Sequence, residues 1–216
     1  MTETLPITER TRVRRLHERG DFSRETIDAI LDATPMCHVG YVIDGKPYVT
    51  PTFQWREGDR VYWHGSSASR MLRSAAGAEV CLTVTLLDGL VLARSGFHHS
   101  LNYRSVMVFG TAEKVADADK EARLRTFLDG LYPGRWDSLR AMTDQELKAT
   151  TVLSMPLTEA SAKIRTGMPV DDEPDYELPI WAGIIPIHHT LGTPEPDPRN
   201  LDDVEMPDHA MSLSLS

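Results

Sequence analysis

Along the first thirty-odd residues the apolar positions recur at helical spacing. In "SRETIDAILDA" Ile27, Ile30 and Leu31 fall on one helix face, Ser23 can cap its start, and Pro35 stops it. From Met36 the pattern changes to short runs rich in β-branched and aromatic residues. "MCHVGYVI" and "KPYVTPTFQW" flank Asp44-Gly45, a hairpin signal, and the turn "REGD" leads into "RVYWHG". "SSASRMLRSAAGA" is a serine-opened helix. Strand character resumes in "EVCLTVTLLDGLVLARS", where Asp88-Gly89 reads as another turn. After Arg104 the chain alternates, with Val106 and Val108 on one face and Ser105, Met107 and Phe109 on the other. Between Asp117 and Leu131, the residues Leu124, Phe127, Leu128 and Leu131 predict a helix. Thr143 and Glu146 form a capping box before "LKATTVLSM". "TEASAKIRTG" and "LPIWAGIIPI" complete the strand-like runs.

Six or seven strands clustered early, with helices before, between and after, predict a mainly β fold with α elements. The expected form is a small closed antiparallel barrel decorated by helices. One domain over residues 1–190 is the simplest division. Beyond it, "GTPEPDPRNLDDVEMPD" makes 191–216 an extended or disordered tail rich in proline and acid.

Charge and cysteine content narrow the role. A net charge of -9 over 216 residues disfavours binding to nucleic acid or anionic membranes, and only "RTRVRR" is locally basic. No apolar run has the length of a membrane span, and no charged-then-apolar leader pattern opens the chain. Cys37 and Cys81 sit in apolar runs and read as buried thiols of a cytoplasmic protein rather than a disulfide framework.

The chemical motifs are sparse. No phosphate-cradling Walker loop, no GxGxxG after a strand, no GxSxG and no HExxH occurs. His98-His99 and His188-His189 invite a metal, yet neighbours on a strand face opposite ways and no carboxylate stands at zinc-site spacing. No metal is expected. "HGSSASRMLR" is more informative: serines at a helix start, with Arg70 and Arg73 three apart, suit a phosphate. They suit a plain serine cap with two solvated arginines equally well. Asn102, Tyr103 and Arg104 open the alternating strand as a polar cluster, which alone is a satisfied strand end.

Taken together, the "DGKP" hairpin, "VYWHGSSASRMLR", "DGLVLARSGFHHSLNYRSVMVFG", "ASAKIRTG" and "WAGIIP" resemble the flavin-nucleotide-binding proteins related to pyridoxamine 5'-phosphate oxidase. The likeness spans roughly residues 8 to 190 and is nearest to the nitroimidazole-resistance branch. It implies an antiparallel FMN-binding split β-barrel with peripheral helices, dimeric, holding FMN in clefts between subunits. Ser69 and Arg70 match the oxidases' Ser-Arg-Lys triple; Met71 replaces the lysine, leaving Arg73 to supply a second charge. His64 and Gly65 match the strand that touches the flavin, and Thr52 and Phe53 its neighbour. Arg104 and Ser105 match an Arg-Gln pair, and Trp181 a tryptophan reaching over from the partner. With Ser66 and Asn102 these make the expected cofactor contacts. "VTPTFQ" at 49–54 lacks the basic residues of the oxidases' corresponding strand, and "AGIIPIHH" lacks their substrate-holding residues. The resemblance therefore implies a flavin site without vitamin B6 specificity.

The function this implies is an FMN-binding oxidoreductase acting on a small planar molecule. His98, His99 or Tyr103 are the candidates to protonate a reduced substrate. The alternative is a carrier or sensor on the same barrel, holding flavin, deazaflavin or haem without turnover, for which the histidine pairs give a chemical logic.

Overall fold

The computed structural model describes residues 3–210. Its frame is a ten-stranded, wholly antiparallel sheet. The strands are β1 (Gly20–Asp21), β2 (Met36–Ile43), β3 (Lys46–Glu57), β4 (Arg60–Ser66) and β5 (Glu79–Leu92). They continue with β6 (Ser100–Thr111), β7 (Glu113–Lys114), β8 (Thr150–Pro156), β9 (Ala160–Arg165) and β10 (Gly183–Pro186). The bonded order is β1-β9-β6-β5-β2-β3-β4-β8-β7, with β10 joined to the far end of β5.

The two ends of this path meet at one corner. β8 pairs with β4 and β9 with β6, although only three residues separate β8 from β9. That short link is tied down by Leu157 N–H to Asp59 O (2.8 Å) and Phe109 N–H to Glu159 O (2.8 Å). The sheet thus curls into a split barrel, and its hydrogen-bonded path stays open where the sequence reading expected a closed one. Consecutive strands β8 and β9 serve opposite walls, so no ladder seals the seam.

The inward positions are apolar and fully covered. Val39, Leu82, Val84, Val106, Val108 and Trp63 are among the most buried side chains, with Trp63 at 0% exposure. Helix α1 (Arg24–Asp32) buries Ile27, Ile30 and Leu31 against them. Its Ser23 cap is as expected, the serine side chain accepting from Thr26 N–H. Helix α2 (Arg70–Ala75) adds Met71, Leu72 and Ala75. A second, smaller core forms outside β3 and β4, where α3 (Lys120–Leu131) lays Leu124 and Phe127 on Trp55, Tyr62 and Val152. Helix α4 (Asp144–Ala149) opens with the capping box between Thr143 and Glu146.

Four local expectations change. Among the described residues up to Pro35, regular helix is confined to α1, preceded only by a 3-10 turn at His17–Arg19. Asp88-Gly89 is no turn: β5 runs through it with a register shift between Leu87 and Gly89. The capping-box helix ends at Ala149, and the β-branched Thr150, Thr151 and Val152 begin a strand. In "LPIWAGIIPI" only Gly183–Pro186 pairs. The described part of the tail, 191–210, carries no regular element beyond a 3-10 turn at Asp208–Ala210; the rest of that expectation lies outside the described residues. No helix of the described residues is long and apolar enough to cross a membrane.

Candidate functional site

The serine-rich loop between β4 and α2 is held by its own hydrogen bonds. Ser69 N–H donates to Ser66 O (2.8 Å), and Ser67 N–H to Ala149 O (2.7 Å). Ser66 Oγ accepts from Ala68 N–H, and Ser69 Oγ caps Leu72 N–H. Because Met71 points into the core, Arg70 and Arg73 are turned outward. Arg70 lies over the Tyr48 ring at 4.8 Å. A Cβ on Gly65 would come within 3.1 Å of Leu72 Cδ1, so the glycine lets α2 lie close to β4 without a shift of that side chain.

Behind that loop is an aromatic group that the sequence reading missed. Trp55 stacks on Tyr62 with centroids 5.4 Å apart, and Phe127 lies 4.9 Å from both Trp55 and His64. Phe53 joins at 5.8 Å from Phe127. Thr52 Oγ1 donates to His64 O at 3.4 Å, tying β3 to β4 at this point. His64 Nδ1 and Trp55 Nε1 are buried without hydrogen-bond partners. Burial pushes the His64 pKa below its ordinary value, so the imidazole is neutral at pH 7. Trp55 and Tyr62 are directly paired across the β3–β4 hairpin, a register that counting outward from the Gly58 turn yields. Phe127 arrives from a helix seventy residues later, and no local pattern announces it.

A third group gathers where β5 meets β6. Arg104 grips Asp88 through Nε and Nη2, the latter 2.9 Å from Oδ1, and this pair holds the Arg104 pKa above its usual value. Ser105 Oγ donates to Lys163 O at 3.2 Å. Beside them Thr85, Leu86, Leu87, Ile187, His188 and His189 line a cavity of about 740 Å³. Both histidines are exposed and follow β10 rather than lying on a strand.

The remaining candidates have other surroundings. Asn102 is buried, accepting from Arg165 and donating to Gly167 O at 3.3 Å. Tyr103 pairs in register with Arg165. His98 and His99 sit in and just after a turn, not on a strand as expected. His98 faces Asp172 at 3.5 Å, and His99 Nδ1 is 2.8 Å from Ser95 O. Trp181 is 67% exposed and rests on Gly183, whose Cβ would fall 2.9 Å from the indole. Among the described residues no group of three or more histidine, cysteine or acidic side chains is placed to hold a metal.

Two of these groups lie at opposite ends of the sheet. The Arg70–Tyr48 end is level with Tyr41, beside Gly40, which pairs with Cys81; Arg104 is level with Leu86. At about 3.3 Å per residue the separation is on the order of 20 Å. One chain does not bring them together.

The family model for pyridoxamine 5'-phosphate oxidase matches residues 23–164, from the cap of α1 to the end of β9. The chain belongs to this family. Among solved structures it is similar to the flavocytochrome Anf3 from Azotobacter vinelandii. The two are 53% identical over 97% of this chain and 98% of that one, with a TM-score of 0.93. It is also similar to the FAD and heme binding protein from Mycobacterium smegmatis, 37% identical over 91% of this chain and 97% of that one, TM-score 0.87. A 5-nitroimidazole antibiotic resistance protein from Bacteroides thetaiotaomicron shares the fold. It is 23% identical over 65% of this chain and 83% of that one, TM-score 0.53. No curated protein matches the chain.

Proposed function

We propose that this protein is a homodimeric flavocytochrome that binds FAD and haem and transfers electrons between them and a small molecule. The observation that carries the reading is the cavity beside β5 and β6, in a chain 53% identical to a flavocytochrome along nearly its whole length. That cavity combines two imidazoles, the Arg104–Asp88 ion pair and an aliphatic wall from Leu86, Leu87 and Ile187. Imidazole nitrogen is a ligand that haem iron takes, and Leu86, Leu87 and Ile187 would pack against an apolar ring, while Arg104 stays paired with Asp88. The donor set therefore fits haem, with His188 or His189 as the ligand. The preference for FAD over the expected FMN follows the Mycobacterium relative, whose description names FAD.

For the flavin, the fit rests on the loop from Ser66 to Arg70 and on Arg73, the cations available for phosphate. Phe53, Thr52, Gly65 and the neutral His64 border the ring position. The flavin supplies hydride or single-electron chemistry and the haem single-electron chemistry. The protein's part is to hold the phosphates with Arg70 and Arg73 and to keep an uncharged imidazole at His64.

A second copy completes the arrangement. The outward face of β2, β3, β5 and β6 exposes Met36, Val42, Val49, Phe53 and Met107 around His38. No aspartate, glutamate, lysine or arginine occurs in 36–43, 47–55, 80–87 or 105–111. Such a face on a chain of net charge -9 is suited to burial. A two-fold axis through it sets the Arg70 end of one copy beside the Arg104 end of the other.

The visible spectrum of protein purified from haem-replete cells tests the reading. A Soret band together with flavin bands is expected, with FAD released on denaturation. His188→Ala or His189→Ala should remove or shift the Soret band and leave the flavin in place. Protein that carries neither chromophore and takes up neither on titration refutes the proposal.

A further inference from the structure

The outward face of β2, β3, β5 and β6 carries a single histidine, near its centre. His38 is exposed while its neighbours Cys37 and Val39 are fully buried, so the imidazole stands outward. The register sets it in a row with Pro51 of β3, Thr83 of β5, Met107 of β6 and Ser161 of β9. The row on one side reads Val49, Gly40, Cys81 and Phe109. On the other side stand Phe53 and Met36, then Thr85 and Ser105. None of these residues carries a charge, and the only other titrating group is the Cys81 thiol, whose pKa burial raises.

Charges begin at the rim. Counted from Thr83, Glu79 and Asp88 lie four and five residues along β5, about 13 and 16 Å at 3.3 Å per residue. Glu79 is taken by Arg10 and Thr111, and Asp88 by Arg104. Lys163 pairs with Ser105 from β9, three strands away from β2. Asp44 and Lys46 lie at the far tip of the β2–β3 hairpin. At the other end of β3, Arg56 is joined to Asp32 and Glu57 to Arg123 of α3, which meets the face at Phe53 through Phe127. Arg70 and Arg73 of α2 belong to the Tyr48 end, and Tyr48 turns to the barrel core.

Four strands about 4.8 Å apart and about eight residues long span a plane on the order of 500 Å². Two copies therefore bury on the order of 1,000 Å², enough for a specific contact. In a two-fold contact each copy meets the same surface that it presents. His38 of either copy is then covered by uncharged residues, and no carboxylate of that face is near enough to serve as its counter-ion. A neutral imidazole is tolerated there, whereas an imidazolium would be buried unpaired, which is strongly unfavourable. On the basis of the second copy proposed above, we infer that His38 makes the contact between copies pH-gated. Pairing holds while the imidazole is neutral and gives way as it takes up a proton, which opens the clefts shared between copies. Overall charge acts in the opposite direction. Acidification brings a chain of net charge -9 toward its pI of about 5.3 and lessens repulsion between copies. Dissociation on acidification is thus the mark of the buried imidazole.

Sedimentation velocity of the as-purified protein over a concentration series, at about pH 8 and about pH 6, tests it. Histidine changes charge between about pH 8 and 5, and each copy contributes one proton, so the dimer Kd should rise about tenfold from the higher pH to the lower. His38→Gln keeps a neutral polar side chain and His38→Phe an apolar ring, so that each reports if the other no longer pairs. Both should remain dimeric with the same Kd at the two pH values. These variants retain His64, His188 and His189, so a dependence that persists in them belongs to another group and overturns the inference. A parent Kd that is unchanged or lower at about pH 6 overturns it as well, while leaving the dimer in place. A parent of single mass at both pH values refutes the dimer reading itself, and the pH gate with it.

Discussion

At the scale of single residues, burial decides what the ionisable groups do. His64 packs against Trp55 and Phe127 with Nδ1 unpaired, and desolvation lowers its pKa. The unfolded chain takes up the proton first as pH falls below the ordinary histidine value of about 6.5. The stability His64 confers is therefore complete above that pH and lost as pH falls through the lowered folded-state pKa. Denaturant midpoints at pH 7 and 5.5 should diverge less in His64→Phe than in the parent. The removed slope can be no more than about 1.4 kcal/mol per pH unit, the limit for one proton. Equal divergence in both proteins would show that His64 is not desolvated. The neighbouring thiol Cys37 is inert by the same logic, burial pushing its pKa up to about 12. Asn102 shows the limit of reading residue types alone: its amide is committed to Arg165 and Gly167, a pairing across two strands that no local pattern reveals.

At the scale of elements, β5 is the pivot. Its near half pairs with β2 and β6, and its far half with β6 and β10. Gly89 permits the second arrangement, because a Cβ there would lie 3.1 Å from both Ile184 Cγ2 and Ile185 O. Gly89→Ala should push β10 away, at a cost of about 1–3 kcal/mol for overpacking. Amide exchange at Ile184 and Ile185 should then rise well above that of the parent, while exchange in β2 stays unchanged. The Asp-Gly signal at 88–89 is the same dipeptide pattern that correctly marks the 44–45 hairpin. What differs is positive φ: Asp44 and Gly45 adopt it, and neither Asp88 nor Gly89 does. Helix caps were more legible, since Ser23, Ser69 and Thr143 act within three residues of themselves. Ser69→Ala should cost about 1 kcal/mol of stability in a thermal or denaturant melt, the usual worth of such a cap.

At the scale of the molecule, the charge-free outer face is where a second copy is proposed to dock. Val49 is 68% exposed, so Val49→Lys costs the single chain little, within about 0.5 kcal/mol. In a dimer the same lysine would be buried without a partner. Light scattering should give twice the 24.2 kDa chain mass for the parent and the single mass for Val49→Lys, with an unchanged melting curve for secondary structure at matched low concentration. A parent protein of single mass would remove the shared-cleft arrangement. By itself the sequence determined the alternation of strands, the caps, the two tight hairpins, the basic loop at Ser69 and Arg70, and the family likeness, because each is written in residues close along the chain or in their order. Only the tertiary structure decided that the barrel stays open and that Arg104 is held by Asp88. It also decided that Phe127 crosses seventy residues to meet Trp55 and His64, and that Arg70 and Arg104 stand at opposite ends. Those are matters of which distant strands pair and how the sheet curls, and the energies that settle them arise only when remote surfaces bury one another.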